Sequence, residues 1–311
     1  MKKKVVFLFP GQGAQFVGMG KDFYDTFPVA KRTFEEAEDL LQLPITHWVF
    51  EGPESLLKET KISQIAIYTV SMAIFRVVEA VTGVHPYACA GLSLGEYTAL
   101  SAAGWLSFAE TLVLVQKRGT LMQRCCEETQ GTMAVLLGGE IEVIEGWVSH
   151  SPFVKELWVA NDNAPGQTVL AGSERAIAWV KQGADGIGVK RVVALEVAGA
   201  FHSGFMSKAR DGLAPHIQAA SLVKGTSRLA MNVTGAFVDD PQEVRRNLVA
   251  QVTESVRWSA ILAAMEREGV EEYFTFGPGK SLAGINKQNR LRGVSLVIER
   301  IADVELLQKG G

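Results

Sequence analysis

Short apolar runs alternate along this chain with longer segments of helical periodicity, and this alternation restricts the fold more than any other feature. Val5–Phe9 is a run of β-branched and aromatic residues that meets the turn residues Pro10 and Gly11, so it predicts a buried strand. Helices are predicted at about 28–41, 64–81, 96–103 and 109–124. The second of these should be capped by Ser63 and should end at Gly83. Because parallel strands need long crossover connections, we expect a mostly parallel sheet covered by helices on both faces.

The middle of the chain has a different order of elements. Strands are predicted at 133–137, 157–160, 168–171 and 189–197, and helices at 141–148 and 176–181. This strand-helix-strand-strand-helix-strand order is that of a ferredoxin-like unit. Alternation then resumes, with strands at 230–233 and 273–276 and helices at 243–251 and 259–268. We therefore expect a smaller subdomain at 129–198, inserted into a larger α/β subdomain made of 1–128 and 199–311.

Composition excludes several classes of protein. The chain has 311 residues, of which 47% are hydrophobic and 21% charged, and its net charge of −3 does not suggest nucleic-acid binding. Three cysteines (Cys89, Cys125 and Cys126) are too few for a disulfide framework and favour a reducing, cytoplasmic compartment. No cysteine or histidine spacing indicates a metal site. No uninterrupted apolar run is long enough for a membrane span, and Val5–Phe9 is too short for a signal peptide.

Two glycine-rich turns resemble nucleotide-binding motifs but do not match them. Residues 11–16 read GQGAQF, and Phe16 stands where a dinucleotide fingerprint needs its third glycine. Residues 276–281 read FGPGKS, and Phe274 stands where a phosphate-binding loop needs its first glycine. The second segment is better interpreted as a strand-to-helix turn.

The segment GLSLG at 91–95 lies between a predicted strand at 87–90 and a predicted helix. A glycine-flanked serine in this context is typical of a nucleophile elbow. The tight turn projects the hydroxyl outward, and the following helix points its free N–H groups towards the same place. Ser93 is therefore a candidate nucleophile. The alternative is an ordinary helix-capping serine.

A nucleophilic serine needs a base. Among the five histidines, His202 is best placed, because it follows the predicted strand that ends near Val197, and strand ends are where such sheets build sites. The alternative is a histidine that only packs or caps in a turn rich in glycine, alanine and phenylalanine.

Arg118 is the third candidate. Its neighbours three and four positions away on the predicted helix are all apolar: Leu114, Val115, Leu121 and Met122. Such an arginine either extends to water or binds a planar carboxylate through two parallel hydrogen bonds. No acidic residue at these spacings satisfies it locally, which leaves room for an anionic ligand.

With these residues taken together, the chain resembles malonyl-CoA:acyl carrier protein transacylases, to which the acyltransferase domains of polyketide synthases are closely related. The likeness runs from about residue 5 to about 297. Segments that match the family occur in the same order, namely FPGQGAQ (9–15), GLSLGE (91–96), QKRG (116–119), NDNAPGQTVLAG (161–172), GAFHS (199–203), Asn232, Gln251 with Trp258, and FGPGK (276–280).

The resemblance implies an α/β-hydrolase-like catalytic subdomain with a parallel sheet and an inserted ferredoxin-like subdomain. It implies a ping-pong transfer of malonyl from malonyl-CoA to the phosphopantetheine thiol of acyl carrier protein, which supplies fatty acid synthesis. The implied partners are acyl carrier protein and a coenzyme A thioester, with no permanently bound cofactor, metal, nucleic acid or membrane.

The resemblance also implies roles for individual residues. Ser93 would be the acyl-accepting nucleophile and His202 its base, oriented by the backbone carbonyl of Gln251. The backbone N–H groups of Gln12 and Leu94 would form the oxyanion hole.

Three more positions would contact the substrate. Arg118 would bind the malonyl carboxylate, Phe201 resembles the malonyl-selecting form of its segment, and Gln64 would line the site. The chain departs from the family at Leu92, where histidine is usual, so the polarity beside Ser93 stays open.

Other functions stay open at this point. A trans-acting acyltransferase of a polyketide synthase, a serine hydrolase or thioesterase, and a non-catalytic scaffold that binds carrier protein would each fit part of the pattern. Because acyl carrier proteins are acidic, five basic residues are candidates for docking, with ordinary solvated surface charge as the alternative. They are Lys190, Arg191, Lys280, Lys287 and Arg290.

Overall fold

The computed structural model describes residues 3–310, which form two sheets and the helices around them. The strands are β1 (Val5–Phe9), β2 (Ala88–Gly91), β3 (Gly131–Gly138), β4 (Leu157–Ala164), β5 (Gln167–Ser173), β6 (Val189–Ala194), β7 (Arg228–Met231), β8 (Ala236–Val238), β9 (Val256–Arg257), β10 (Glu272–Phe276) and β11 (Val294–Ile298). The helices before the second sheet are α1 (Lys21–Thr26), α2 (Pro28–Leu41), α3 (Ile45–Glu51), α4 (Glu54–Leu57), α5 (Thr60–Thr82), α6 (Gly95–Ala102) and α7 (Phe108–Glu128). The later helices are α8 (Ile141–Ser149), α9 (Glu174–Gly183), α10 (Ser207–Ala219), α11 (Pro241–Ala250), α12 (Trp258–Arg267), α13 (Ser281–Gln288) and α14 (Ile301–Gly310).

The larger sheet has the strand order β11-β10-β1-β2-β7-β8, and every strand except β8 runs parallel to its neighbours. The central strand β1 is buried along its whole length, as its apolar sequence predicts. Because the strands are parallel, the segments that follow β1, β2, β7 and β10 meet at one edge of the sheet. This edge collects the turn after β1, the GLSLG segment after β2 and Asn232 after β7.

Aromatic side chains pack across the centre of this sheet. Phe7 on β1 lies 4.6 Å from Phe276 and 6.0 Å from Phe75, measured between ring centroids, both in edge-on geometry. Phe9 stacks on Phe276 at 5.7 Å. Burial of these rings between the sheet and α5 gives the larger subdomain a continuous core.

The smaller sheet has the order β6-β3-β5-β4-β9. Its first four strands are antiparallel, and with α8 and α9 they form the predicted ferredoxin-like unit. The two-residue strand β9 pairs in parallel with β4, although it comes from beyond residue 198. The predicted α/β fold with a larger and a smaller unit is confirmed.

Several local predictions need correction. Helix α5 begins at Thr60, so Ser63 lies inside it, and the Ser63 hydroxyl donates to the Thr60 carbonyl at 3.2 Å instead of capping the helix. Gly83 does end the helix, with φ of 64°. Strand β4 continues through Ala164, although the turn-forming residues of NDNAPGQ predicted a loop there. Pairing with β5 and β9 outweighs the low strand propensity of these residues.

Within residues 3–310, Thr60–Thr82 is the one helix that is long and apolar enough to cross a bilayer. Most of its side chains are buried inside the protein, against α2, α7 and the sheet. It therefore has the character of a core helix.

The glycines of GLSLG let β1, β2 and α6 approach closely. A Cβ atom added at Gly95 would overlap the carbonyl oxygens of Phe9 and Pro10, and one at Gly91 would overlap the backbone of Gly95. Since backbone atoms cannot move away as a flexible side chain can, both positions need glycine. The spacing of the motif thus follows from packing at the sheet edge.

We expect Gly95→Ala to lower the free energy of unfolding by roughly 1–3 kcal/mol, because the added methyl group is forced against backbone atoms. The matched control is Gly146→Ala in α8, where an added Cβ meets nothing within 4 Å. That change should be neutral or stabilise the protein by about 0.5–1 kcal/mol, since alanine favours helix. Denaturant unfolding of both variants checks this, and equal effects at the two sites would contradict it.

Candidate active site

Ser93 lies two residues after the end of β2, in the turn that leads to α6. Its φ of 53° is in the left-handed region, which costs a residue with a side chain about 1–2 kcal/mol. Two hydrogen bonds hold this conformation. The Ser93 N–H donates to Asn232 Oδ1 at 2.8 Å, and the Ser93 carbonyl accepts from Gln251 Nε2 at 2.9 Å. The backbone is thus fixed on both sides of the hydroxyl.

The structure brings Ser93 and His202 together although 109 positions separate them in sequence. The Ser93 Oγ lies 2.7 Å from His202 Nε2, and His202 Nδ1 lies 2.8 Å from the backbone carbonyl of Gln251. A carbonyl can only accept, so Nδ1 carries the proton and Nε2 is free to accept from the serine hydroxyl. A hydroxyl, an imidazole and a carbonyl that orients the ring are thus linked by hydrogen bonds, which is the arrangement that nucleophilic catalysis needs.

The imidazole is neutral at physiological pH. Burial, and after it the nearby positive charge of Arg118, lower the pKa of His202 to about 4, against the hydrogen bonds to backbone groups, which raise it. His202 also has a positive φ of 55°, in the loop between β6 and α10. A neutral, oriented imidazole at 2.7 Å from a hydroxyl is suited to take up its proton.

Arg118 on α7 is buried, with 1% of its surface exposed, so the interpretation that it extends to water is wrong. Its Nη1 donates to Gln64 Oε1 at 2.8 Å, while Nη2 donates to Gln251 Oε1 at 3.0 Å and to Ser93 Oγ at 3.1 Å. The guanidinium also lies 5.4 Å from the centre of the Tyr97 ring. None of the described residues forms a direct ion pair with Arg118, and its Nε has no hydrogen-bond acceptor among them. A buried cation held only by neutral groups is suited to binding an anion.

The two predicted oxyanion-hole residues flank the serine. Leu94 follows it directly, and Gln12 lies in the turn after β1, where an added Cβ at the neighbouring Gly11 would come within 3.7 Å of the Ser93 Cβ. Neither the Gln12 nor the Leu94 backbone N–H donates a hydrogen bond to any residue between 3 and 310. Both segments next to Ser93 therefore carry a backbone N–H that is unused within the described residues.

These groups open into a cleft of about 600 Å³ between the two sheets. Gln64 and Phe201 line it, as expected for residues that contact substrate, and both side chains are almost fully buried. The remaining wall is mixed and comes from both units. Its large apolar side chains include Leu57, Met122, Met133, Val169, Leu195 and Val197, and its polar side chains are Gln12, Gln15, Glu54, Lys58, Asn161, Asn163 and Glu196. No group of three or more histidine, cysteine, aspartate or glutamate side chains suited to a metal ion occurs in the part of the chain that the structure describes.

Comparison with known proteins agrees with this geometry. Residues 6–271 match the family model described as acyl transferase domain. Malonyl CoA-acyl carrier protein transacylases from Bacillus subtilis and Escherichia coli are each 34% identical to the chain. The first alignment covers 97% of this chain and 96% of the relative, and the second covers 91% of each.

The chain belongs to the malonyl CoA-acyl carrier protein transacylases of the acyl transferase family. A solved malonyl-transacylase in complex with a type II PKS acyl-carrier protein superposes with a TM-score of 0.94 at 31% identity, covering 99% of this chain and all of the other. The enzyme from Streptococcus pneumoniae gives the same TM-score at 33% identity over 99% of this chain and all of that one.

In this transacylase, two residues of the site were given no role by sequence reasoning. Asn232 holds the Ser93 N–H, and the buried Glu96 accepts hydrogen bonds from Asn232 and Gln251. Asn232 follows a central parallel strand, a position that sequence can flag. Glu96 gives no such signal, because an acidic residue in the first turn of a helix is usually a surface residue. Leu92 is half-buried at the cleft wall and leaves an apolar surface next to the serine.

The low pKa of His202 predicts how the stability of this transacylase depends on pH. Since the folded value of about 4 lies below the ordinary 6.5, the unfolded chain binds a proton first as pH falls through that window. The contribution of His202 to the stability of the folded state is fully present above pH 6.5 and is lost as the pH falls towards 4. Between pH 7 and pH 5, wild type should therefore lose about 2 kcal/mol more stability than His202→Gln, as measured by denaturant unfolding. Parallel curves for the two proteins would show that His202 titrates normally.

Proposed function

We propose that this protein transfers the malonyl group from malonyl-CoA to the phosphopantetheine thiol of acyl carrier protein through an acyl-Ser93 intermediate. The observation that carries the proposal is the position of the Ser93 hydroxyl, within hydrogen-bond distance of both the His202 imidazole and the Arg118 guanidinium. The first group activates an oxygen nucleophile, and the second recognises an acid at the far end of a short acyl chain. The names of the relatives specify the same pair of substrates.

In the first half-reaction, His202 Nε2 takes the proton as Ser93 Oγ attacks the thioester carbonyl carbon of malonyl-CoA. The carbonyl oxygen becomes an oxyanion, which the N–H groups of Gln12 and Leu94 receive. Each such donor typically lowers a barrier of this kind by roughly 3 kcal/mol. The carbon–sulfur bond then breaks, and the protonated imidazole returns its proton to the sulfur of coenzyme A.

In the second half-reaction, the phosphopantetheine thiol of the carrier protein enters the vacated cleft. Its proton passes to His202 as its sulfur attacks the carbonyl carbon of malonyl-Ser93. The carbon–oxygen bond breaks, and His202 returns the proton to Ser93 Oγ. The hydrogen bond from His202 Nδ1 to the Gln251 carbonyl keeps the same ring nitrogen facing the serine throughout.

Arg118 selects the diacid. With malonyl bound, the guanidinium gains a carboxylate partner, whereas with acetyl bound it stays buried without one. Sites that leave a buried polar group without its partner can reject the wrong substrate by roughly 10⁴-fold. Gln64 and Gln251 accept hydrogen bonds from the two terminal nitrogens of the guanidinium. Phe201 narrows the cleft beside His202, and the narrower cleft disfavours a branched acyl chain.

Docking of the carrier protein should use basic surface near the cleft. The five candidate cations are all exposed. Lys280, Lys287 and Arg290 lie on or next to α13, and Asn289 in this segment donates to the carbonyl of Asn163, a residue of the cleft wall, at 2.9 Å. We therefore favour the α13 group over Lys190 and Arg191, which lie on the edge strand β6. We place the reaction in cytoplasmic fatty acid synthesis, in preference to a polyketide assembly line.

Intact-mass measurement tests the proposal directly. Incubation with malonyl-CoA alone should add one malonyl group to Ser93, and addition of phosphopantetheinylated carrier protein should remove it and load the carrier. Release of free malonate in the presence of carrier protein would indicate a hydrolase. Absence of any adduct, with carrier binding retained, would indicate a scaffold. Ser93→Ala is the control that should never acquire the adduct.

We expect Arg118→Ala to lower kcat/KM for malonyl-CoA by about 100-fold or more and to change kcat/KM for acetyl-CoA far less. Only the malonyl group has a carboxylate, and that carboxylate loses its partner in the variant. The matched control is Lys117→Ala, which removes the adjacent, exposed positive charge. It should leave both values nearly unchanged. Equal losses for the two donors in Arg118→Ala would exclude a role in carboxylate recognition.

A further inference from the structure

Glu96 has no part in the steps above, yet its carboxylate is fully buried beside the site, three residues after Ser93 in the first turn of α6. Its Oε1 accepts from the Asn232 backbone N–H at 2.6 Å, and its Oε2 accepts from Gln251 Nε2 at 2.8 Å. Burial raises the pKa of this carboxyl to about 8, even though the hydrogen bonds from Asn232 and Gln251 and the charge of Arg118 act to lower it. The hydrogen-bond geometry, in contrast to burial, favours the ionised form. Both oxygens face N–H donors, which is the arrangement that suits a carboxylate.

The Gln251 side chain connects this carboxylate to Arg118. Its Nε2 donates to Glu96 Oε2 and to the Ser93 carbonyl, and its Oε1 accepts from Arg118 Nη2. The amide dipole therefore lies between a buried anion and a buried cation, with its NH₂ end towards the anion and its oxygen towards the cation. Each charge is stabilised by the end of the amide that it faces.

The orientation of this amide decides whether Gln251 offers an acceptor to Arg118 Nη2. The two ends of a glutamine amide have nearly the same shape, so packing alone does not distinguish them. If the amide turned over, its NH₂ group would face the guanidinium, and its oxygen would face the oxygens of Glu96 and Ser93. The carboxylate of Glu96 makes that orientation unfavourable.

We propose that Glu96 is a positioning residue that fixes the Gln251 amide so that its oxygen holds Arg118 where a malonyl carboxylate can meet it. This inference rests on the proposed function, since it assigns Glu96 a part in selecting the malonyl donor. In Glu96→Gln, the new NH₂ group must face either the Asn232 N–H or the NH₂ of Gln251. The second conflict is relieved when the Gln251 amide turns over, and Arg118 Nη2 then loses its hydrogen bond to Gln251.

Binding to a protein that cannot form the acyl-enzyme tests this role apart from turnover. In the Ser93→Ala background, Glu96→Gln should raise the Kd of malonyl-CoA by about 10- to 100-fold, as expected when a hydrogen bond to a charged group is lost. The Kd of acetyl-CoA should change by less than about 3-fold, because acetyl makes no contact with the guanidinium. Isothermal calorimetry with each thioester gives both constants.

A matched control separates positioning from general loss of stability. Glu266→Gln, in the same background, removes a partly buried carboxylate that also accepts from backbone and side-chain donors, here Arg292 and the Tyr273 hydroxyl, away from the cleft. Glu266→Gln should leave both Kd values unchanged, even if it lowers the midpoint of thermal unfolding as much as Glu96→Gln does. Glu96→Asp, which keeps the charge and both acceptors, should retain more of the preference for malonyl-CoA than Glu96→Gln.

The outcomes distinguish the two proposals. If Ser93→Ala alone binds malonyl-CoA no better than acetyl-CoA, Arg118 is not a carboxylate receptor, and both the proposed selectivity and the role of Glu96 fail. If Ser93→Ala discriminates and Glu96→Gln discriminates equally well, only the role of Glu96 is overturned. A parallel rise of both Kd values in Glu96→Gln would make Glu96 a structural residue without influence on selectivity.

Discussion

The site depends on a positive charge that is buried without a direct ion-pair partner. Placing a guanidinium in the protein interior is costly unless hydrogen bonds and an opposite charge compensate it. Here Gln64, Gln251 and Ser93 supply the hydrogen bonds, and the nearest linked anion, Glu96, lies one amide away. The charge of the guanidinium is therefore only partly compensated, and the missing partner is on the side of the cleft. A substrate carboxylate entering there would complete the compensation, so the proposed preference for a diacid rests on the energetics of one buried arginine.

Backbone strain provides the second constraint. Ser93 and His202 both have positive φ, which residues with side chains rarely adopt, and they are the two residues whose side chains meet at 2.7 Å. Strain of this kind persists only where the surrounding structure fixes it. At the elbow that role falls to Asn232 and Gln251, which bind the N–H and the carbonyl of Ser93. The hydroxyl and the imidazole are consequently in position before any substrate arrives, and binding energy is not needed to assemble them.

Sequence patterns predicted the parts of this structure that depend on local chemistry. The strand at Val5–Phe9 and the helix at 28–41 have the predicted bounds, because apolar runs and a proline in the first turn act locally. The elbow could be identified since its glycines and serine lie within five residues. Arg118 could be flagged by its apolar neighbours, but its burial could not, because α5 and the elbow that cover it are distant in sequence.

Tertiary contacts account for what the sequence could not predict. Strand β9 exists only because β4 lies beside it, and two residues carry no periodicity of their own. Ser63 looked like a cap, but α5 starts one turn earlier, where the Thr60 N–H is satisfied by the side chain of Gln123 at 2.9 Å. The connection from Glu96 through Gln251 to Arg118 joins three separate helices or their ends and has no sequence signature. Residues that position other residues are in general the ones that local patterns miss.

The same arginine links recognition to the strength of the base. Its positive charge is the second cause of the low pKa of His202, after burial. A carboxylate paired with Arg118 would oppose that charge at the imidazole and so would raise the pKa of His202, whereas an acetyl group would not. A general base is most effective when its pKa lies near the working pH. In the proposed mechanism, the malonyl carboxylate would therefore also strengthen the base that accepts the serine proton.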